Sequence, residues 1–202
     1  MTTAVFDLGG VVVRWDPAAA VAVDVGRERA ERFVGGAEFD FVEWNRRQDA
    51  GRPFADAEAV ARATHPHLAA EIAAYRRHFA ESLTGLVPGT AEILADLDAT
   101  GVRLVGLTNW SAETFPQALQ KFPDVFALFD DVVVSGAEGL VKPDPRIFDA
   151  LAERLGHGLA GVFYVDDSAE NVAAAERAGM DAVRFTDAPD LRRQLRTRGL
   201  IP

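Results

Sequence analysis

Cysteine is missing from the 202-residue sequence. That absence removes disulfides, thiolate nucleophiles and cysteine-ligated metal sites together, and it fits a reducing compartment. Positive charge is scarce: 21 Lys and Arg face 31 Asp and Glu, a formal net charge of −10. A surface of that sign repels phosphate backbones and argues against nucleic acid as a partner. Lysine occurs only at Lys121 and Lys142. No uninterrupted apolar run approaches the roughly eighteen residues of a membrane span. The opening "MTTAVFDLGG" lacks the basic segment that precedes the apolar stretch of a signal peptide. Repeats, low-complexity tracts and like-charge blocks are also absent. These absences point to a soluble cytoplasmic protein that binds neither nucleic acid nor membrane.

What is present is an alternation. Short β-branched or aromatic runs at 3–8 (TAVFDL), 102–108 (VRLVGLT), 131–135 (DVVVS), 162–166 (VFYVD) and 182–186 (AVRFT) suit strands buried on both faces of a parallel sheet. Between them lie amphipathic segments. "PGTAEILADLDATG" puts Ile93, Leu94 and Leu97 on one face and stops at Gly101. "KPDPRIFDALAERLG" offers Asp144 as N-cap, Pro145 at the first helical position and Gly156 as the stop; Ile147, Phe148, Leu151 and Leu155 form its stripe. The pattern predicts a doubly wound, Rossmann-like α/β fold. Residues 16–84 interrupt it with Ala-, Arg- and Glu-rich helical spacing and no convincing strand. They are expected to form a helical cap inserted in a core made of 1–15 and 85–202.

In an open α/β sheet the site forms at the carboxyl ends of the strands. There the sequence places Asp7, then Thr108 and Asn109 of "LTNW", Lys142 of "GLVKPDP", and Asp166, Asp167 and Asn171 of "YVDDSAEN". Singly each has an ordinary explanation. Asp167 with Glu170 could be a capping box, Asn109 or Ser111 a helix cap, and Gly9–Gly10 a tight turn. Together they suit phosphoryl transfer through a carboxylate nucleophile. Mg²⁺ takes hard oxygen ligands of the kind Asp7 and Asp167 supply. Thr108, Lys142 and turn N–H groups suit the oxygens of a transferring phosphoryl group.

"FDLGGV", "LTNW", "GLVKPDPRIF" and "VDDSAEN" resemble, in order, the four motifs of the haloacid dehalogenase-like hydrolase superfamily, and the resemblance spans essentially the whole chain. "DLGGV" and the segment from "TFPQALQ" to "PRIF" resemble the branch that contains glucose-1-phosphate phosphatase and the phosphatase domain of soluble epoxide hydrolase. The resemblance implies a Mg²⁺-dependent phosphatase with Asp7 as nucleophile. It implies Thr108, Asn109, Lys142 and the backbone of Leu8 and Gly9 around the phosphate. Asp7, the Gly9 carbonyl and Asp167 would hold the metal, with Asp166 a neighbouring or water-mediated ligand. A small phosphorylated metabolite is the implied partner; the resemblance implies no oligomeric state.

One departure matters. The usual motif is Asp-x-Asp, and its second carboxyl moves the leaving-group proton. Gly9 keeps a carbonyl for the metal and has no carboxyl. Stable leaving groups, such as those of sugar 1-phosphates, are therefore expected to fare best, with Asp16 or a histidine of the cap (His65, His67 or His78) as a spare donor. Two other activities share parts of the pattern. A 2-haloacid dehalogenase uses the same Asp nucleophile without metal, but the Asp166–Asp167 pair disfavours it. A non-catalytic relative would only bind phosphorylated ligands. A phosphonatase needs a cap lysine, and residues 16–84 contain none. In "EWNRRQDAG", Trp44 is expected in the cap core, Arg46 and Arg47 in solvent, and Asp49 on a loop facing the site.

Overall fold

The structure, a computed structural model, describes residues 2–36 and 38–202. Among the described residues there are seven strands: β1 Thr3–Phe6, β2 Val13–Trp15, β3 Leu83–Leu86, β4 Arg103–Thr108, β5 Asp131–Val134, β6 Phe163–Asp166 and β7 Asp181–Arg184. Five of them form one sheet in the order β5-β4-β1-β6-β7, with every neighbouring pair parallel. The chain builds outward from β1 to β5 and then crosses back to β6, so the order reverses between β1 and β6. Ligands of doubly wound sheets bind at such a reversal, beyond the strands' carboxyl ends.

Helices cover both faces. Strand side chains alternate between them: Ala4, Phe6, Leu104 and Val165 enter one buried cluster, and Val5, Val105, Leu107 and Tyr164 the other. On the first face lie α7 (Thr90–Ala99), through Ile93, Leu94 and Leu97, and α13 (Ala188–Thr197). On the second lie α11 (Pro145–Leu155) and α12 (Ala169–Arg177). α11 begins as the sequence predicts: the Asp144 carboxylate accepts from the Arg146 N–H, Pro145 is first in the helix, and Gly156 closes it in the left-handed conformation. Shorter helices, α8 (Phe115–Lys121), α9 (Pro123–Phe126) and α10 (Ser135–Glu138), lie along the chain between β4 and α11.

Between β2 and β3 the chain is helical: α1 Pro17–Val25, α2 Arg27–Val34, α3 Phe41–Asp49, α4 Phe54–Thr64, α5 Ala69–Arg77 and α6 Phe79–Ser82. Its interior is aromatic. Phe41, Trp44, Phe54 and Tyr75 are buried and meet mostly edge to face, with centroids 5.0–6.0 Å apart. This cluster is continuous with the first face of the sheet. The sequence, read with 16–84 helical and no strand at 13–15 or 83–86, does not anticipate the antiparallel β2–β3 ribbon. The two strands pair only with each other, with a register shift at Arg14/Trp15, and are too short to show an alternating pattern.

Candidate active site

The carboxyl ends of β1, β4 and β6 and the underside of the helical insert enclose a cavity of about 400 Å³. Asp7, Gly9, Thr108, Asn109, Lys142 and Asp167 all line it, as does Asn171. Leu8 and Asp166, also expected at the site, lie behind this surface and are fully buried.

Asp7 extends the line of β1, its N–H bonding to the Val165 carbonyl of β6 at 2.9 Å. Its Oδ1 accepts from the Leu8 N–H and from Lys142 Nζ, each at 2.8 Å, so the Leu8 N–H is directed at Asp7 itself. Lys142 is buried and its ammonium has three acceptors: Asp7 Oδ1 (2.8 Å), Asp166 Oδ2 (2.8 Å) and the Leu107 carbonyl (2.7 Å). That uses all three donors of a lysine. Burial works against its charge, but the two carboxylates outweigh it and push its pKa above the ordinary lysine value. Asn109 fixes the Lys142 backbone from both sides: its Nδ2 donates to the Lys142 carbonyl at 2.9 Å, and its Oδ1 accepts from the Lys142 N–H at 2.8 Å.

Asp166 is saturated. It accepts from Lys142, the Tyr164 hydroxyl, the Ser168 N–H (2.8 Å) and Asn171 Nδ2 (3.0 and 3.1 Å). Asp167 is exposed, and its carboxylate has no side-chain partner among the described residues. The alternative of an Asp167–Glu170 capping box does not hold; Ser168 caps α12 by accepting from the Asn171 N–H. Carboxylate oxygens of Asp7, Asp166 and Asp167 lie within 4.8 Å of one another. Such crowding disfavours ionisation. Burial, opposed by Lys142, pushes the Asp7 pKa up to about 7, and burial with Asp166 beside it raises that of Asp167.

The two glycines differ. Gly10 has φ +78°, and a Cβ there would fall 2.5 Å from Asp167 Oδ2, so only glycine leaves that carboxylate its place. A Cβ on Gly9 would meet nothing within 4 Å, and its φ is not positive. The turn therefore requires glycine at position 10 and not at position 9.

Of the spare donors, Asp16 caps α1 and pairs with Arg27 at 2.6 Å, His78 meets Asp24 and His67 meets Glu38; none lines the cavity, nor does His65. Trp44 is buried, and Arg46 and Arg47 are exposed beside Glu43. Asp49 is not on a loop: it is the last residue of α3, and it does line the cavity. So do Trp15, Tyr75, Phe79 and Trp110; of these aromatic walls only Trp110, which ends "LTNW", falls within a quoted motif. The helical period carried a partial signal, since Asn45 and Asp49 stand one turn apart, beside the buried Trp44 and Gln48.

The chain is 28% identical over 196 residues to the sesquiterpene phosphatase astK of Aspergillus oryzae, covering 92% of this chain and 90% of that protein. It is 29% identical over 201 residues to phosphoglycolate phosphatase of Escherichia coli, covering 90% and 79%. In structure it is similar to a HAD family enzyme of Bacteroides thetaiotaomicron solved as a magnesium complex, with TM-score 0.75 and 19% identity over 97% and 98% of the two chains. It is also similar to L-2-haloacid dehalogenase of Xanthobacter autotrophicus, with TM-score 0.56 and 21% identity over 100% and 85%. At such identities the structural likeness is one of fold. The model of the haloacid dehalogenase-like hydrolases matches residues 1–179, from the strand that ends at Asp7 to beyond the Asp166–Asp167 pair, and the chain belongs to that family of hydrolases.

Proposed function

We propose that this protein is a Mg²⁺-dependent phosphatase that hydrolyses small phosphate monoesters through an aspartyl phosphate on Asp7. The observation that carries this reading is the convergence of Asp7, Asp167 and the buried Lys142 ammonium on one cavity. A dehalogenase has no use for the crowded acidic pair, whereas a cation does. The site fits magnesium: the donors are carboxylate oxygens, and Gly10 keeps free the space beside Asp167 that a Cβ would fill. Asp7, Asp167 and the Gly9 carbonyl would hold the ion, with Asp166 behind them. When bound, the ion neutralises phosphate charge and favours the ionised form of Asp7.

An Asp7 carboxylate oxygen attacks phosphorus in line with the leaving oxygen. Lys142, tied by Asp166 and Asn109, offers fixed positive charge to the phosphoryl oxygens, and Thr108 lines the same wall. Asp166 acts through Lys142 rather than on substrate. The helices of residues 16–84 form a cap over the core of 1–15 and 85–202, and rings from both, Tyr75 and Phe79 of the cap with Trp15 and Trp110 of the core, hold the organic half of the substrate. Trp15, Tyr75, Phe79 and Trp110 suit the C–H face of a sugar ring, which supports a sugar 1-phosphate. The same rings, with the likeness to a sesquiterpene phosphatase, favour a terpenyl monophosphate as the second substrate reading.

The test is a panel of phosphate esters, among them a sugar 1-phosphate, a sugar 6-phosphate, farnesyl monophosphate and phosphoglycolate, assayed with Mg²⁺ and with EDTA. Hydrolysis should require Mg²⁺, and Asp7→Asn should abolish it while preserving the fold. Chloride release from 2-chloropropionate in EDTA would instead establish the dehalogenase.

A further inference from the structure

Position 9 has no side chain, so the leaving oxygen needs a proton from elsewhere. We propose that Asp49, at the end of α3, is the general acid that protonates the leaving group, supplying from the helical insert the carboxyl that the core lacks. This rests on the phosphatase reading.

Asp49 faces the cavity that Asp7 faces. It is carried by the insert yet fastened to the core. Its backbone carbonyl accepts from the Ser135 hydroxyl of α10 at 2.6 Å, and the Ser111 backbone beyond β4 stands beside its carboxyl and counters part of the effect of burial. Gly51, φ +95°, passes so near α10 that a Cβ there would stand 3.1 Å from the Gly136 carbonyl. Asn45 Nδ2 holds Oδ2 at 3.0 Å. Many other carboxylates of the insert are in ion pairs: Asp16 with Arg27, Asp24 with Arg77, Glu43 with Arg47 and Glu71 with Arg29. Asp49 has no cationic partner among the described residues, and burial pushes its pKa up to about 7, which keeps a proton on it near neutrality. The titratable groups sharing the cavity are Tyr75 from α5, and Asp7, Asp167 and Lys142 from the core. Tyr75 stays neutral: burial and the nearby Asp49 push its pKa well above the ordinary tyrosine value.

The proton balance closes over the cycle. As the ester P–O bond breaks and the Asp7–phosphorus bond forms, the Asp49 proton passes to the leaving oxygen and the alcohol departs. Asp49, now a carboxylate, takes a proton from the water that attacks the aspartyl phosphate. The hydroxide oxygen joins phosphorus, Asp7 is released, and phosphate leaves with Asp49 protonated again.

The test is kcat/KM for phosphate monoesters of graded leaving-group pKa, which reports steps up to alcohol release. Asp49→Asn should lose about 10²- to 10⁴-fold on alkyl esters and less than about fivefold on 4-nitrophenyl phosphate, turning a shallow leaving-group dependence into a steep one. Adding Gly9→Asp, for which the structure has room, should restore the alkyl esters. This replaces the steep wild-type dependence expected from Gly9 alone. An Asp49→Asn enzyme that keeps wild-type rates on alkyl esters, or loses equally on every ester, overturns the assignment. Wild-type inactivity on all esters, with or without Mg²⁺, would overturn the phosphatase reading and this inference with it.

Discussion

The sheet edge and the helical insert are stabilised by opposite means. At the edge, charge is buried: Lys142, Asp7 and Asp166 are nearly inaccessible and satisfied by one another. In the insert, rings are buried and most charge lies outward, as in the Arg27–Glu31, Arg32–Glu28 and Arg47–Glu43 pairs along helix surfaces, with Glu71 and Asp49 the buried exceptions. Buried ion pairs contribute little net stability compared with apolar packing, because each ion must first leave water. Aromatic packing contributes heavily and does no chemistry. The edge thus has its charged chemistry built into its folding, while the insert's folding rests mainly on its rings.

Removing the charge that balances the edge should have the largest effect. Lys142→Met should cost about 10²- to 10³-fold in kcat/KM, and roughly 3 kcal/mol of stability at pH 8, where two carboxylates are left unpaired. Urea unfolding should show part of that stability returning at pH 5, as Asp7 takes a proton. A loss below about tenfold in kcat/KM would place Lys142 outside the phosphate site. Trp44→Ala in the insert should likewise cost about 3 to 5 kcal/mol, yet proteins of this variant that remain folded should still form the aspartyl phosphate. Arg47→Ala, on the same helix but exposed, should change stability by less than about 0.5 kcal/mol.

The two regions can also be compared by pH. Asp7 and Asp49 both rise from 3.8 to about 7 on folding, chiefly through burial. Between those values the native state holds more protons than the unfolded chain, so stability must fall as pH rises from about 4 to about 7 and level off beyond. Metal-free protein should show this in its urea midpoint. Asp49→Asn should reduce the slope without abolishing it, since Asp7 and Asp167, whose pKa values are also raised, still contribute. An unchanged slope would mean that Asp49 ionises freely in the folded protein.

The core was legible because its signals are local. β1, β4 and β6 are short runs buried on both faces, α11 carries its own cap, proline and terminal glycine, and each strand end is marked by the polar residue that follows it. What escaped depends on which groups meet in the fold, and the local pattern does not fix that. Asp16 looks like a spare acid until Arg27 is seen beside it. Asp167 looks like a helix cap until Ser168 takes that place. Asp49 takes its significance from Ser111 and Ser135, more than 60 residues away. Gly9 and Gly10 are alike in sequence, and only the neighbouring Asp167 separates the obligatory glycine from the optional one.

The β2–β3 ribbon has a consequence for how such a protein can vary. Because the strands entering and leaving the helices run side by side, the excursion starts and finishes at nearly the same point in space. Topologically it is a pendant loop, 67 residues long from Asp16 to Ser82, hung from a two-stranded stem. A pendant can be lengthened, shortened or exchanged without altering the register of a single strand in the parallel sheet. If it also carries the proton donor, then grafting a different pendant onto this stem exchanges specificity and acid catalysis in one event. A transplanted one lacking a carboxyl at the equivalent of Asp49 would leave a chain able to capture phosphate and slow to release alcohols.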